Sequence, residues 1–196
     1  MNELRAELRQ MDPFELALLT RGEYSPNDPS HGEFRLKVWG RVVTISFPDL
    51  VACDANGKEL NPALQALLIY HFHTTDGTPV ADRYIAFSEL HDGRFYAQAF
   101  QSYTGEEIRR TFGDERQRFD QAAQKAGGRP YVLGDSSFAF DLLPRVRLVV
   151  VFWSGDEDFP SNYQVLFDGA VTHHLPTDAC AIAGSMLTRM IISENE

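Results

Sequence analysis

A turn that carries three consecutive carboxylates is the feature of the sequence with the clearest capacity for chemistry. Neighbouring carboxylates repel one another, so an ordered turn must neutralise them with backbone N–H groups, a basic side chain or a cation. Arg145 and Arg147 are the basic candidates. Such a turn suits a hard cation, a proton transfer or a basic partner, although a solvated loop shaped by Gly155 and Pro160 has the same composition. We predict a ligand- or partner-binding site in which aromatic residues flank the acids: Trp153, Asp156, Glu157, Asp158 and Phe159.

Four of the six histidines fall in two close pairs, His71 with His73 and His173 with His174. Residues two apart on a helix point in different directions, so His71 and His73 are poorly placed to hold one metal ion. The sequence predicts that His71 is a core histidine with satisfied hydrogen bonds and that His73 is solvated. The second pair is expected on a strand, where neighbours face opposite sides, so one of them at most joins a given site.

Motifs for cofactor chemistry are missing from the sequence. Nothing matches a phosphate loop, a dinucleotide fingerprint, a nucleophile elbow or a zincin helix. Cys53 and Cys180 belong to no CxxC or Cys/His spacing, and we expect both to be unreactive core thiols. The sequence therefore identifies no catalytic residue, no metal site and no cofactor.

The charge balance restricts the partners. The 196 residues include 18 basic and 28 acidic side chains, which gives a net charge of −10 and a pI near 5.0. This charge repels a phosphate backbone, and the longest basic run is the pair Arg109 and Arg110, so no nucleic-acid partner is expected. No apolar run suits a membrane span or a signal peptide, so we expect a cytoplasmic protein with no membrane partner.

The length and composition favour one domain with a complete core, since hydrophobic residues make up 43% of the chain. Strand-like and helix-like segments come in blocks and do not alternate strictly. We therefore predict an α+β fold, with a mainly antiparallel central sheet packed with helices, as a single domain over residues 1–196. Its parts are an N-terminal helical appendage at 1–22, a loop rich in turn residues at 23–32 and a main body at 33–196.

Local patterns predict the elements that position the acidic turn. Runs of β-branched and aromatic residues predict an antiparallel meander at 34–39, 41–47 and 50–53. Residues 146–153 are almost continuously apolar, which predicts a central strand that leads into the turn. Capping residues predict helix starts near Asn61, Thr104, Asp114 and Pro176. The last of these helices has a predicted core stripe at Ala179, Ile182, Met186 and Met190.

Short motifs between about residues 34 and 191 carry a family resemblance. They lie at 86–90, 111–113, 127–128, 134–135, 143–145, 165–168 and 174–179. Together with W-x-G-D-E-[ED]-F-P, matched at 153–160, they resemble an uncharacterised family of small proteins from anaerobic bacteria and archaea, known as a domain of unknown function. Some relatives look like fusions to iron-sulfur segments, so the resemblance implies anaerobic redox or one-carbon metabolism. This chain has no cysteine cluster for such a centre, which would reach it only through a partner.

Two hypotheses for the function follow. The leading one is a non-catalytic accessory protein of anaerobic metabolism, whose acidic turn binds a small molecule or a partner protein. The alternative is a hydrolase or lyase, with or without a metal ion, in which Asp156 or Glu157 acts as base or metal ligand and His71 or His174 completes the site. The absence of nucleophile and metal-ligand motifs favours the first. The sequence leaves the ligand, the cofactor and the oligomeric state open.

Overall fold

The predicted α+β class is confirmed, since the protein combines helices with two antiparallel sheets. The computed structural model describes residues 1–195. The helices are α1 (Asn2–Leu8), α2 (Pro13–Thr20), α3 (Pro62–Thr74), α4 (Gly93–Tyr103), α5 (Gly105–Phe112), α6 (Arg116–Lys125) and α7 (Thr177–Ser193). The strands are β1 (Glu23–Pro26), β2 (Gly32–Val38), β3 (Arg41–Phe47), β4 (Ala52–Cys53), β5 (Tyr84–Ala86), β6 (Arg129–Pro130), β7 (Ser136–Leu143), β8 (Val146–Trp153) and β9 (Asn162–Asp168). Short 3-10 helices cover Phe87–Glu89 and Val171–His173.

The chain divides into two compact units. Unit 1 comprises Met1–Val80, Asp141–Val146 and Ala170–Ala179, and unit 2 comprises Ala81–Phe140, Arg147–Gly169 and the chain from Cys180 onwards. Strands β7 and β8 and helix α7 each contain residues of both units. The single domain expected over residues 1–196 stays a prediction. Within residues 1–195, no helix combines the length and the apolar character that crossing a bilayer requires.

The first sheet lies in unit 1 and has the strand order β1-β2-β3-β4. Phe34, Leu36 and Val38 on β2 are almost fully buried and alternate with more exposed residues, as in a strand with one face on a core. Trp39 and Gly40, with φ of 49° and 74°, form the two-residue turn to β3. The predicted meander is therefore confirmed.

Helix α3 begins where its capping residue predicts. The side chain of Asn61 accepts a hydrogen bond from the N–H of Leu64 at 3.0 Å, and Pro62 lies in the first turn. The buried residues of this helix are Leu67, Leu68, Ile69, His71 and Phe72. The predicted burial of the helix, with His71 in it, is confirmed.

Strand β8 is the middle strand of the second sheet, whose order is β5-β9-β8-β7-β6. Its residues Leu148, Val149, Val150 and Val151 are all fully buried, so both faces of the strand are covered. The continuous apolar run predicts such a strand, because neither face has to meet water. Trp153 is its last residue, and the acidic turn follows directly.

Two segments differ from the sequence-based expectations. The loop expected at 23–32 is shorter, because Glu23–Pro26 pairs with β2 as an edge strand, a position that tolerates proline. Helix α4 is not anticipated by the sequence. Its Phe100 is buried, but Phe95 and Tyr96 are 84% and 63% exposed, so the aromatic residues do not mark a single buried side.

The buried face of α7 is turned slightly from the predicted stripe. Ala179 is fully buried as predicted, but the other predicted positions are only half-buried: Ile182, Met186 and Met190. The fully buried residues further along the helix are Cys180, Ala183, Leu187 and Ile191. The prediction follows the larger side chains and selects the wrong face, because small residues form much of the buried face of this helix.

Candidate functional site at one end of the second sheet

Two loops meet at one end of the second sheet. Strand β8 ends at Trp153, and its antiparallel neighbour β7 begins just after Asp135. The segment 131–135 before β7 and the segment 154–161 after β8 therefore lie at the same end of the sheet. A hydrogen bond joins them, because the N–H of Ser154 donates to Oδ2 of Asp135 at 2.7 Å. We call these two segments the paired loops.

Asp156 stabilises the acidic turn through local backbone hydrogen bonds. Its Oδ1 accepts from the N–H groups of Asp158 at 2.9 Å and Phe159 at 2.8 Å. Its own N–H donates to the carbonyl oxygen of Phe159 at 2.8 Å. Backbone N–H groups thus compensate the negative charge of Asp156, which is a common arrangement for an aspartate in a turn. Arg147, considered above as a partner of the turn, instead donates to Asp82 at 2.8 Å.

Glu157 and Asp158 carry the uncompensated charge of the turn. Both are exposed, and among residues 1–195 their carboxylates have no hydrogen-bonding or ion-pair partner. The side chain of Phe159, next to them, is 71% exposed. The turn therefore presents an aromatic ring and two negative charges on a backbone that Asp156 holds in place.

The segment 131–135 adds apolar surface to the acidic turn. Val132 is 96% exposed and Leu133 is 37% exposed. Gly134 has a φ of +62°, and a Cβ atom there would lie 2.6 Å from Cγ1 of Val151 and 2.8 Å from the carbonyl oxygen of Phe152. The segment packs so closely against the end of β8 that only glycine fits at this position.

Trp153 contributes to the core under the paired loops. It is half-buried, and its indole Nε1 would lie 3.2 Å from a Cβ atom on Gly134. Three more half-buried side chains pack with it on one buried cluster: Tyr84, Tyr131 and Leu166 on Ala139, Val149 and Val151. Of the two aromatic residues that flank the acids in the sequence, Phe159 is therefore the exposed one.

Hydrogen bonding keeps Asp135 ionised. The backbone N–H of Ser154, followed by the Ser154 side chain, holds the pKa of the Asp135 carboxyl below its ordinary value. Partial desolvation opposes this shift, and the positive charge of Arg116 adds to it. Asp135 is therefore a carboxylate at neutral pH, and it adds negative charge to the paired loops.

Sequence reasoning missed Val132, Leu133 and Asp135. The glycine and aspartate at 134–135 contribute to the family resemblance, and two apolar residues precede them in a turn. These signals show that the segment is unusual, but they do not show what lies beside it. Only the strand order places it next to the acidic turn.

The two histidine pairs lie in unit 1, whereas the acidic turn lies in unit 2. His73 is partly exposed, as predicted, and its Nε2 lies 2.8 Å from Oε2 of Glu7. His173 ends a 3-10 helix and does not lie on a strand, so the expected alternation of faces rests on the wrong element. Its Nδ1 lies 2.7 Å from Oδ2 of Asp76.

The histidines of the enzyme hypothesis, His71 and His174, are both fully buried. The rings of His71 and His174 have centroids 6.0 Å apart. His174 lies with Nδ1 at 2.8 Å from Oγ1 of Thr75 and Nε2 at 2.9 Å from the carbonyl oxygen of Thr78. Within the described part of the chain, no group of three or more His, Cys, Asp or Glu side chains is arranged to hold a metal ion.

The two cysteines differ in burial. Cys180 is fully buried, and its burial raises the pKa of the thiol to about 12. Cys53 lies on the edge strand β4 and is only half-buried. The expectation of core thiols is therefore confirmed for Cys180 and wrong for Cys53.

The fold and the paired loops define an α+β protein with an acidic and apolar surface at one end of a central sheet. A family model described as "Domain of unknown function (DUF3786)" matches residues 12–190, and the chain belongs to this family. This confirms the resemblance at the level of a domain of unknown function. No curated protein and no solved structure matches the chain.

Proposed function

We propose that this protein is a non-catalytic binding protein whose paired loops bind a partner protein. The partner segment carries Lys or Arg side chains beside an apolar side chain. The observation that carries the proposal is the exposed ring of Phe159 next to the uncompensated carboxylates of Glu157 and Asp158, on a turn fixed by its own hydrogen bonds.

The energetics of this surface favour a partner with both features. A fully buried Phe side chain is worth roughly 1.5 to 3 kcal/mol relative to an exposed one, so covering Phe159 and Val132 gives affinity. The carboxylates attract basic groups, which raises the association rate and selects against acidic partners. Because Asp156 already orders the backbone of the turn, binding loses little conformational entropy there.

The setting of this function is part of the same proposal. The family resemblance supports an accessory role in anaerobic metabolism, in the cytoplasm, with any iron-sulfur centre on the partner. An aromatic side chain beside charged groups is a common arrangement for protein recognition. A partner protein accounts for the exposed apolar residues of both loops better than a small molecule does, because Val132 and Phe159 lie on open surface.

Selection from short random peptides displayed on phage tests the proposal. The protein is immobilised, and binders are sorted against the variant with Glu157→Gln and Asp158→Asn, which removes charge and leaves the Asp156 hydrogen bonds intact. We expect selected peptides to carry Lys or Arg beside an apolar residue and to bind more weakly as salt is raised. A control variant, Glu3→Gln with Glu15→Gln, removes the same charge from exposed helix positions and should bind like the wild type. Selected peptides without basic residues, or equal binding to both double variants, would contradict the proposal.

A further inference from the structure

Helix α4, in unit 2, presents an aromatic face to solvent. An α-helix turns by about 100° per residue, which places five exposed residues on one side of α4: Phe95, Tyr96, Ala99, Ser102 and Tyr103. The three aromatic side chains among them are 84%, 63% and 40% exposed, in chain order. Apolar side chains clustered in this way mark an interaction surface, whereas single exposed ones are ordinary.

The opposite side of α4 is held against the rest of unit 2. The ring of Phe100 stacks on the ring of Phe87, with centroids 4.2 Å apart and 8° between the planes. Gly93 lies so close to Phe87 that a Cβ atom would clash with the carbonyl oxygen of that residue. Nε2 of Gln101 donates to the carbonyl oxygen of Tyr163 on β9 at 2.8 Å. These contacts fix the orientation of the helix, so its aromatic face stays on the surface.

The charge of α4 favours a second copy of the protein as the partner of this face. Among the 11 residues Gly93–Tyr103 only Arg94 is charged, whereas charged residues make up 23% of the chain. Two copies with a net charge of −10 each repel one another wherever their carboxylates approach. A face without carboxylates avoids this repulsion, and it offers little charge with which to select a basic or an acidic partner.

The spacing of the aromatic residues around Ala99 is self-complementary. Phe95 lies four residues before Ala99, and Tyr103 lies four residues after it. When two copies of α4 pack antiparallel about a two-fold axis at Ala99, Phe95 of each copy lies against Tyr103 of the other. A two-fold interface requires this relationship, because each contact occurs twice with the copies exchanged. The small side chain at the axis lets the helices approach, and the flanking rings pack edge to face or offset.

From this face we infer that two copies of the protein form a two-fold symmetric dimer through α4, with Ala99 at the axis. The three aromatic side chains expose roughly 400 Å² per copy, since a Phe or Tyr side chain buries about 150 to 250 Å². A complex of standard size buries about 800 Å² per partner, so this dimer is a weak and reversible one, with a dissociation constant of about 1 to 100 μM. The inference is independent of the function proposed for the paired loops.

Sedimentation velocity of the full chain between about 1 and 200 μM tests the dimer. We expect a reversible equilibrium of monomer and dimer that shifts toward the dimer as salt is raised, because salt screens the repulsion between acidic copies. Phe95→Ser should raise the dissociation constant of the dimer by at least about tenfold. Leu18→Ser on α2 is the matched control, because Leu18 is 73% exposed on another helix, and it should dimerise like the wild type. A monomer at every concentration, or equal dissociation constants for the two variants, overturns the inference.

Disulfide cross-linking tests the position of the axis, and it keeps the inference falsifiable if Phe95→Ser folds poorly. The variants carry Cys53→Ser, so the fully buried Cys180 is the remaining native thiol. Ala99→Cys places two thiols at the axis, where closely packed helices bring facing Cα atoms within the range of a disulfide. Gln98→Cys is the control, because it adds an exposed thiol on a different side of α4. We expect mild oxidation to cross-link Ala99→Cys into a dimer at least about five times faster than Gln98→Cys. Equal or slower cross-linking of Ala99→Cys overturns the inference.

Discussion

The N–H of Ser154 donates a hydrogen bond to Oδ2 of Asp135 at 2.7 Å, although the two residues are 19 positions apart in the chain. A second bond fixes the first of these loops to the end of β8, because the N–H of Asp135 donates to the carbonyl oxygen of Phe152 at 3.0 Å. These contacts combine the acidic residues of one loop with the apolar residues of the other. The binding surface proposed above depends on this connection.

Removing the acceptor should release the two loops from each other. Asp135→Ala deletes the bond to Ser154, so the amide proton of Ser154 should exchange with solvent faster than in the wild type. Asp135→Asn retains an acceptor oxygen and should protect that proton nearly as well. The measurement is amide hydrogen exchange by NMR. Equal protection of the Ser154 amide in the Ala variant would show that the bond does not hold the loops.

Gly134→Ala should lower the free energy of unfolding by more than the strain of a positive φ alone would. Gly127→Ala is the control, because Gly127 also has positive φ, 89°, but nothing lies within 4 Å of an added Cβ. We expect Gly127→Ala to lower the free energy of unfolding by about 1 kcal/mol and Gly134→Ala by about 2 to 4 kcal/mol, since the latter also overpacks against Val151. Urea unfolding measures both values. Equal losses of unfolding free energy in the two variants would mean that the segment 131–135 shifts to accept the methyl group without cost.

The sequence predicts the strand and the turn of this site, because both are local features. Residues 146–153 have enough continuous apolar surface to require burial on both sides, and the acids that follow must be exposed or compensated. The capping residue Asn61 likewise accepts the hydrogen bond that its position predicts. The caps expected at Thr104 and Asp114 do not form, because the Thr104 hydroxyl donates to the carbonyl oxygen of Phe100 and α6 begins after Glu115. The inferences that hold, the strand, the turn and the Asn61 cap, need only neighbours in the sequence.

The remaining features depend on contacts between distant segments. The neighbour of the acidic turn, at 131–135, is set by strand order, which residue spacing does not determine. Edge strand β1 resembles a loop in its composition, and α4 exposes aromatic residues that would normally mark a core. His71 is in the core as predicted, but its missing hydrogen bonds are visible only when every neighbour is known.

Acid should destabilise the protein partly through His71. Its pKa is lowered from 6.5 to about 3 in the folded state, mainly by burial, so between these pH values the unfolded chain binds a proton that the folded one excludes. Stability therefore falls as the pH decreases below about 6.5, by up to about 1.4 kcal/mol per pH unit from this group. His71→Leu should show a shallower loss between neutral pH and about pH 5 in urea unfolding. Parallel pH curves for the variant and the wild type would contradict a buried neutral His71.

The two thiols should react at different rates in the folded protein. Cys180 is fully buried and its thiol pKa is raised to about 12, so it should react with iodoacetamide only when the protein unfolds. Cys53, which is half-buried on an edge strand, should react first. Mass spectrometry of labelled peptides over time measures both rates. Labelling of Cys180 as fast as that of Cys53 would contradict the packing of α7.

Comparison of two exposed phenylalanines tests the proposed binding surface most directly. Phe159 lies in the paired loops and is 71% exposed, whereas Phe95 on α4 is 84% exposed. The dissociation constant of the best selected peptide is measured by fluorescence anisotropy for the wild type, Phe159→Ser and Phe95→Ser. The account predicts that Phe159→Ser raises the dissociation constant by at least about tenfold, while Phe95→Ser changes it by less than about twofold. Equal dissociation constants for the two variants would contradict the role of the paired loops in binding.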